Sequence, residues 1–201
     1  MGTLFWIAIG FLSGSIPFSV WIGRLLLRAD IRRYGDGNPG AANAWRAGGW
    51  PVGLLAVLLD YLKGAVPVGF AHFRLGMDGP ALVAVALAPV LGHAFSPFLR
   101  FRGGKAVAVT FGIWTGLTVG EVPIILGVLL GVFYFTIAVD AWSAMLGMAG
   151  LLAHLLLRGH PPGLLAVWAG NTAIMVWKHR ADLRQSIRFR PWLLRRLRGS
   201  Q

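Results

Sequence analysis

The chain contains no cysteine, which excludes disulfide bonds, thiolate metal sites and a covalent thioester intermediate. Charged residues are also scarce: they make up 13% of the sequence, about half the share that is usual in soluble domains. Apolar residues, in contrast, make up 56%. A soluble domain of this size cannot bury so much apolar surface, whereas a bilayer covers it. The composition therefore predicts an integral membrane protein with little soluble structure.

Long apolar stretches recur along the sequence with short polar interruptions. Because a helix needs about 20 apolar residues to cross the hydrocarbon core, the chain has room for roughly six or seven spans. We therefore predict an all-α fold, a polytopic membrane helical bundle of about seven transmembrane helices in one domain, residues 1–201. The predicted spans are residues 4–27, 50–73, 80–99, 106–119, 122–139, 142–157 and 164–177, with a basic tail over 178–201. The first span has no basic n-region or cleavage pattern, so it is expected to be retained.

The basic residues are concentrated in alternate loops, which lie on one side of the predicted membrane. Seven spans place sixteen of the nineteen Lys and Arg residues on one side and only Arg74 and Arg158 on the other, while Lys63 falls inside a span. The positive-inside rule makes the basic side, with the C-terminus, cytoplasmic and leaves the N-terminus outside. Topology thus explains the net charge of +12, and no nucleic-acid partner is expected. The tail segment RQSIRFRPWLLRRLR, residues 184–198, is typical of an interfacial anchor on anionic lipid.

Several common catalytic arrangements are missing from the sequence. It has no Gly-x-Ser-x-Gly segment for a hydrolase-type serine. None of its 5 histidines precedes an aspartate in the His-x4-Asp arrangement of acyl-CoA-dependent glycerolipid acyltransferases. No His and Glu residues stand at a spacing that suits zinc, so neither a metal nor another cofactor is expected.

Polar stretches in such a chain are informative, because each polar group needs a partner or water. The first polar island is DIRRYGDGNPGAANAWR, residues 30–46. Its glycines allow turns that direct N–H groups at a ligand, Asn38 and Asn43 can donate to oxyanions, and Arg46 can bind phosphate with two N–H groups. A plain connector held by Asx-turns is the alternative. Since a connector does not need so many donors, we interpret this island as an anion site.

The second polar island is GHAFSPFLRFRGGKAVAV, residues 92–109. Gly103, Gly104 and Lys105 precede a predicted membrane helix, whose N-terminal N–H groups and partial positive charge can hold phosphate. The segment is not a Walker A loop, because position 99 is Leu and Ala follows the lysine. A basic membrane flank is the alternative for this island, and a structural histidine is the alternative for His93.

Two further islands complete the set. The third, KHRADL over residues 178–183, follows the last predicted span, where a positive-inside flank is the alternative to a site. The fourth consists of Asp60 and Lys63, one turn apart on one face of the second span. Ionisable residues inside a membrane are functional candidates, and a self-neutralising pair that orders the loops is the alternative.

The first three islands resemble the cytoplasmic motifs of a known family, the bacterial acyl-phosphate:glycerol-3-phosphate acyltransferases. The first motif is similar to residues 35–43 with Arg46, the second to residues 92–95 and 101–105, and the third to residues 179–182. The family's Asp-x-x-Lys-Gly is similar to residues 60–64. The resemblance extends from about residue 4 to residue 183.

The chain departs from the family pattern at several motif positions. Asp36 stands where the family usually has a serine that is important for activity, and Asp182 replaces an asparagine. Ala42 replaces a threonine, Ala106 stands where glycine is common, and RFRPWLL follows the third motif in place of Gly-x-Glu. Two neutral donors have thus become carboxylates, which repel phosphate unless arginines or a cation pair with them.

The resemblance implies transfer of a fatty acyl group from acyl phosphate to the 1-hydroxyl of glycerol 3-phosphate, which gives lysophosphatidate and phosphate in phospholipid synthesis. The implied partners are glycerol 3-phosphate, acyl phosphate and membrane lipids, and the implied location is the bacterial inner membrane with the site facing the cytoplasm. Because acyl phosphate is an activated mixed anhydride, positioning and electrostatic stabilisation suffice for catalysis. The alternative is a catalytically altered or inactive relative that acts as a membrane anion- or phosphate-binding transporter or accessory protein.

The resemblance also implies which residues form the site. We expect the glycerol 3-phosphate on residues 103–105, with His179, Asp36 or a substrate phosphate accepting the hydroxyl proton. The predicted catalytic residues are Asp36, Arg46, His179 and Asp182, and the predicted substrate-binding residues are Asn38, Gly40, Asn43, His93, Gly103, Gly104, Lys105 and Arg180.

Overall fold

The computed structural model describes residues 2–198, and this part of the chain is helical, with one isolated antiparallel bridge between Ile137 and Phe189. The all-α prediction is therefore confirmed. Short 3-10 turns occupy Ile31–Arg33, Pro97–Leu99 and Asp182–Arg184, and a π-helical turn, Phe70–Arg74, extends the third helix. The α-helices described are α1 (Thr3–Ser15), α2 (Phe18–Leu27), α3 (Ala41–Gly69), α4 (Gly79–Ala94), α5 (Val107–Thr118), α6 (Glu121–Thr136), α7 (Asp140–Leu157), α8 (Pro162–His179) and α9 (Pro191–Arg198).

Each predicted span falls on helical structure. Four helical segments are long and apolar enough to cross a membrane, and α5 and α6 are apolar but shorter. The four long segments are Thr3–Leu27, Ala41–Arg74, Gly79–Leu99 and Asp140–Leu157. The count of seven spans and the orientation of the two ends therefore stay predictions.

The first predicted span consists of two helices. α1 ends at Ser15 and α2 begins at Phe18, with Ile16 in an extended conformation between them. Pro17 explains the break, because proline has no N–H to donate and its ring moves the preceding residue away from helical dihedral angles. Both residues at the break are apolar, so hydropathy alone gave no sign of it.

The second long helix begins nine residues earlier than predicted, at Ala41, inside the first polar island. Gly49 interrupts its helical dihedral angles with φ 71° and ψ −169°. The sequence predicted a start at residue 50 because the continuous apolar stretch begins there. The chain uses Gly49 as a kink within a longer helix instead, so that Asn43 and Arg46 lie on the first two turns of α3.

The membrane part of α3 exposes several large apolar side chains and buries two charged ones. Leu54, Leu58 and Val66 are exposed, whereas Asp60 and Lys63 are only 2% and 4% exposed. Such a distribution is expected of a helix in lipid, where ionisable side chains face the interior of the bundle.

The helices approach one another closely where small residues meet. A Cβ atom on Gly14 of α1 would collide with the backbone of Pro89 in α4, so only glycine fits there. The larger apolar core contains buried residues of every helix from α3 to α8, with Trp114 as its largest side chain. A smaller core is formed by α2 and the first half of α3.

The tail after α8 is fixed to the connection between α6 and α7. The backbone N–H of Ala138 donates to the carbonyl of Arg188, and the N–H of Arg190 donates to that of Thr136, both over 2.8 Å. The indole of Trp142 donates to the carbonyl of Gln185 over 2.8 Å. Residues 185–190 are therefore hydrogen-bonded to the rest of the protein, and an interfacial anchor over residues 184–198 stays a prediction.

Candidate functional site

Asp60 and Lys63, the buried ion pair of α3, supply a hydrogen-bond donor to a backbone carbonyl at the break between α1 and α2. Lys63 Nζ donates to the carbonyl of Ile16 over 3.0 Å and to Asp60 Oδ1 over 2.6 Å. The hydroxyl of Ser19 donates to Asp60 Oδ2 over 2.7 Å. A carbonyl left without its helical partner thus gains a donor, as buried backbone in a membrane requires. This geometry supports the self-neutralising alternative for the fourth island.

A cavity of about 760 Å³ opens at the end of the bundle where α3 and α5 begin and α8 ends. It gathers side chains from the first three polar islands, which are far apart in the sequence. The predicted site residues that line it are Asp36, Asn38, Gly40, Arg46, His93, Lys105, His179 and Asp182.

Lys105 is the charged centre of this cavity. Its Nζ lies 2.6 Å from Asp36 Oδ2 and 2.6 Å from Asp182 Oδ2, so the two carboxylates that depart from the family pattern share one ammonium. Burial acts to lower the pKa of Lys105, but the hydrogen bonds to Asp182 and Asp36 outweigh it and hold that pKa above its usual value. Burial acts to raise the pKa of Asp36, but the hydrogen bonds from Lys105, Asn38 and Asn43 together with the charge of Lys105 outweigh it, and the net shift is downward.

The first island is held together by Asn43, which is 1% exposed. Its Nδ2 donates to Asp36 Oδ1 over 2.9 Å, and its Oδ1 accepts a hydrogen bond from Arg46 Nη1 over 2.7 Å. Asp36 Oδ1 also accepts from the N–H of Asn38, which is the Asx-turn that a plain connector would make. Asn43 therefore positions Asp36 and Arg46, and these two side chains reach the cavity.

Gly103 and Gly104 bring the loop before α5 against the end of α4. The N–H of Gly104 donates to the carbonyl of His93 over 3.1 Å. A Cβ atom on Gly103 would collide with the same carbonyl, and one on Gly104 would collide with the His93 ring. The two glycines thus fix the position of Lys105, which follows them directly.

Four of the predicted site residues do not line the cavity within the described part of the chain: Asn43, Gly103, Gly104 and Arg180. Arg180 turns away, with its guanidinium 4.5 Å from the ring centroid of Trp177 and its Nη1 donating to the Trp177 carbonyl. This position fits the membrane-flank alternative for the basic part of the third island.

His179 is buried, and the hydrogen bond that it makes sets its tautomer. Its Nδ1 lies 2.8 Å from the carbonyl oxygen of Met175. A carbonyl can only accept, so Nδ1 carries the proton and a neutral ring has its lone pair on Nε2. The cavity therefore contains one imidazole nitrogen that is ready to accept a proton.

The N-terminus of α5 also faces the cavity. Ala106, Val107 and Ala108 line it, and the first N–H groups of a helix have no partner within the helix. They add donors and partial positive charge beside Lys105. Ala106 has a φ of 65°, the left-handed region that favours glycine, which gives a structural reason for the glycine that is common at this position.

Part of the cavity wall was not predicted from the sequence. Tyr134 lies in the last turn of α6, Asp140 begins α7, and Gln185 and Arg188 come from the tail. The tail was predicted to be a lipid anchor, and residues 140–141 were predicted to be a short loop. A solitary acidic residue between two apolar stretches, Asp140, was the one available signal.

One cavity of this helical membrane bundle is lined by Lys105, Arg46 and the N-terminus of α5. These features define a class of membrane protein whose site suits an anionic substrate. A sequence profile of the glycerol-3-phosphate acyltransferases matches residues 4–188, and the chain belongs to this family. The motif resemblance seen in the sequence is therefore confirmed.

Individual relatives and solved structures agree with the profile. Glycerol-3-phosphate acyltransferase 1 of Thermotoga maritima is 39% identical over 202 aligned positions, which cover 94% of this chain and 99% of that protein. The acyltransferase of Maridesulfovibrio salexigens is 34% identical, over 90% of this chain and 92% of that protein. The crystal structure of PlsY (YgiH), an integral membrane glycerol 3-phosphate acyltransferase, in its glycerol 3-phosphate form matches with a TM-score of 0.83 at 30% identity. That match covers 98% of this chain and 92% of PlsY.

Proposed function

We propose that this protein acylates glycerol 3-phosphate in phospholipid synthesis. The observation that carries the proposal is that the three motifs of the family meet at one cavity. The family profile, the named relatives and the integral membrane enzyme PlsY support the same activity. A transporter or accessory protein is not favoured by these similarities.

We propose acyl phosphate as the donor, with lysophosphatidate and inorganic phosphate as the products. The hydroxyl oxygen of glycerol 3-phosphate attacks the acyl carbonyl carbon, the bond from that carbon to the phosphate oxygen breaks, and phosphate leaves with the electron pair. The sequence has no cysteine, and an activated anhydride needs no covalent intermediate on the enzyme. Positioning and electrostatic stabilisation of the leaving phosphate therefore account for the rate.

The phosphate of glycerol 3-phosphate would bind where Lys105 and the first turn of α5 meet, and Arg46 would hold the leaving phosphate of the acyl donor. Lys105 is bound by two carboxylates, so the phosphate of glycerol 3-phosphate must share the ammonium with Asp36 and Asp182. An ammonium with helix-terminal N–H groups suits one phosphate, and a guanidinium suits the other. The carboxylates weaken the binding of glycerol 3-phosphate, because like charges at this range repel.

His179 would take the proton of the attacking hydroxyl on Nε2. Asp36 is a weaker candidate, because its two oxygens already accept hydrogen bonds from Lys105, Asn43 and Asn38. The apolar wall residues Val57 and Phe111 would contact the acyl chain. The excess of basic residues on this side supports a site that faces the cytoplasm in a bacterial inner membrane.

The experiment offers labelled glycerol 3-phosphate to the detergent-purified protein, with palmitoyl phosphate or with palmitoyl-CoA as donor. Lysophosphatidate from palmitoyl phosphate alone is the expected result. Product from palmitoyl-CoA alone would contradict the proposed donor and leave the acyltransferase activity standing. Failure with both donors, in protein whose thermal unfolding is cooperative, would contradict the proposed function.

A further inference from the structure

A second polar cluster lies at the end of the bundle opposite to the cavity. Glu121 begins α6, His154 lies in the last turn of α7, and His160 lies just before α8. α7 runs from the cavity at Asp140 to His154, a distance of about 21 Å at 1.5 Å per residue. The cluster is therefore separate from the proposed active site and does not depend on the proposed function.

The three side chains place one ligand atom each close to the other two. Glu121 Oε1 lies 3.2 Å from the Nε2 atom of His154 and 3.2 Å from the Nε2 atom of His160. All three ligand atoms lie within 4.8 Å of one another. With metal bonds of about 2.0–2.1 Å, neighbouring ligand atoms of a tetrahedral zinc site are about 3.3–3.4 Å apart. The two short separations therefore match edges of such a coordination shell.

The donor set selects the class of ion. Two imidazoles with one carboxylate suit Zn²⁺, Ni²⁺ or Cu²⁺, whereas Mg²⁺ and Ca²⁺ require oxygen ligands. The histidine side chains are 19% and 15% exposed and Glu121 is 41% exposed, so the ligands are partly shielded while water can reach the remaining coordination position.

We propose that Glu121, His154 and His160 bind one divalent transition-metal ion, with Zn²⁺ as the reference ion and water completing the coordination. The ion joins the start of α6, the end of α7 and the connection to α8. It stabilises this end of the bundle, because an ion that binds only the folded chain shifts the folding equilibrium. The competing explanation of the cluster needs no metal: the imidazole N–H groups of His154 and His160 donate hydrogen bonds to the Glu121 carboxylate.

No local spacing in the sequence indicates this site, and the expectation of no zinc site rested on local spacing. Glu121 is 33 residues from His154 and 39 residues from His160. These residues meet because α6 and α7 are antiparallel neighbours.

Arg158 provides an independent test of the proposal. Its Nε lies 3.9 Å from Glu121 Oε1, and its side chain is 69% exposed. Its positive charge opposes a bound cation and competes for the carboxylate. Arg158→Gln keeps all three ligands, so it should tighten metal binding about three-fold, the size of effect that exposed charges have on one another when solvent screens them.

The experiment is a Zn²⁺ titration by isothermal calorimetry on detergent-purified protein that carries no polyhistidine tag and has been stripped with chelator. One Zn²⁺ ion per chain is the expected stoichiometry. Glu121→Gln, His154→Gln and His160→Gln should each weaken binding at least about 10-fold, because even the loss of groups that only support ligands costs 10–100-fold. His72→Gln is the matched control, a histidine outside the cluster whose Nδ1 faces the carbonyl of Met77, and it should bind as the wild type does.

Two further readouts keep the proposal falsifiable if a variant does not fold. Co²⁺ added to the wild-type protein should give the intense visible absorption of a four-coordinate site. Saturating Zn²⁺ should raise the wild-type Tm and leave that of His154→Gln unchanged. A wild-type chain that binds no Zn²⁺, or affinities that all three ligand substitutions leave unchanged, would overturn the metal site.

Discussion

Lys105 binds two carboxylates at positions where the family pattern has neutral side chains. Asp36 and Asp182 come from opposite ends of the sequence, yet each places an oxygen 2.6 Å from the same ammonium. Each carboxylate partly neutralises a charge that would otherwise face a substrate phosphate. The two departures therefore act as one unit, and they change the electrostatics of the site without exposing an unpaired charge.

Restoring the family residues at both positions should release Lys105 for the phosphate. We expect the double substitution Asp36→Ser with Asp182→Asn to lower KM for glycerol 3-phosphate about 3- to 10-fold, a range that allows for solvent screening of these half-exposed groups. The two single substitutions should give effects that do not add, since each leaves the other carboxylate on Lys105. Steady-state kinetics of the four proteins measure this, and a higher KM in the double variant would contradict it.

The ion pairs of Lys105 have a defined pH range. The lowered pKa of Asp36 means that its contribution to stability is complete above the ordinary aspartate value of 3.8 and is lost as the pH falls through the folded value. The raised pKa of Lys105 means that its contribution is complete below 10.5 and is lost as the pH rises through the folded value. The Tm difference between wild type and Lys105→Gln should therefore be constant around neutral pH and shrink below pH 3.8. A Tm difference that already changes with pH in the range around neutrality, between these two limits, would contradict the assignment of these ion pairs.

Lys105 and Arg46 should affect different kinetic constants. Lys105→Ala should raise KM for glycerol 3-phosphate about 10-fold or more, because a hydrogen bond to a charged group contributes about 1.5–3 kcal/mol. Arg46→Ala should lower kcat about 100-fold if it stabilises charge that develops at the leaving phosphate. The matched controls are Arg102→Ala and Arg33→Ala, which remove exposed arginines near each residue and outside the cavity lining. Unchanged kinetics in both cavity variants would contradict these roles.

At the scale of the elements, the sequence predicted where helices lie better than where they begin and break. Apolar stretches located the helices because lipid requires continuous hydrogen-bonded backbone. The break at Ile16 and Pro17 lies inside an apolar stretch, and its carbonyl is satisfied by Lys63 from another helix. A contact between residues so far apart in the sequence has no local signature. The early start of α3 was missed for a related reason, since its kink at Gly49 has the composition of a loop.

The start of α5 carries backbone strain that a single substitution can remove. Ala106 has a φ of 65°, and a left-handed conformation costs an alanine roughly 1–2 kcal/mol. Ala106→Gly should therefore raise the free energy of unfolding by about 0.5–1 kcal/mol, after the entropy that glycine loses on folding. Ala144→Gly is the control, a buried residue in the interior of α7, and it should lower stability by about 1 kcal/mol. Thermal unfolding in detergent measures both, and a lower Tm for Ala106→Gly would contradict the strain.

At the scale of the whole molecule, the predicted orientation can be tested because the chain has no cysteine. Asp78→Cys and Ser186→Cys introduce single thiols in exposed positions of the α3–α4 connection and of the tail. A membrane-impermeant thiol reagent on intact cells should label Asp78→Cys and should label Ser186→Cys only after permeabilisation. The reverse pattern would contradict the orientation, and equal labelling of both positions would contradict an odd number of spans.

The sequence predicted the part of the site that lies in local motifs. Asp36, Lys105 and His179 were identified from short polar stretches, and they meet in the cavity. The opposite wall, with Asp140 and Arg188, was not identified, because it is formed by backbone pairing between the tail and the α6–α7 connection. Hydropathy and motif spacing do not report such pairing between two distant, irregular segments.

The pairing of the tail with the α6–α7 connection has a consequence for biogenesis. Gln185 and Arg188 follow the helices α1 to α8 in the order of synthesis, and they complete the cavity only when they pair beside Ala138. Helices α1 to α7 can therefore be inserted and packed before this stretch has left the ribosome. Until it emerges and pairs, the nascent protein has an open site that lacks part of its wall.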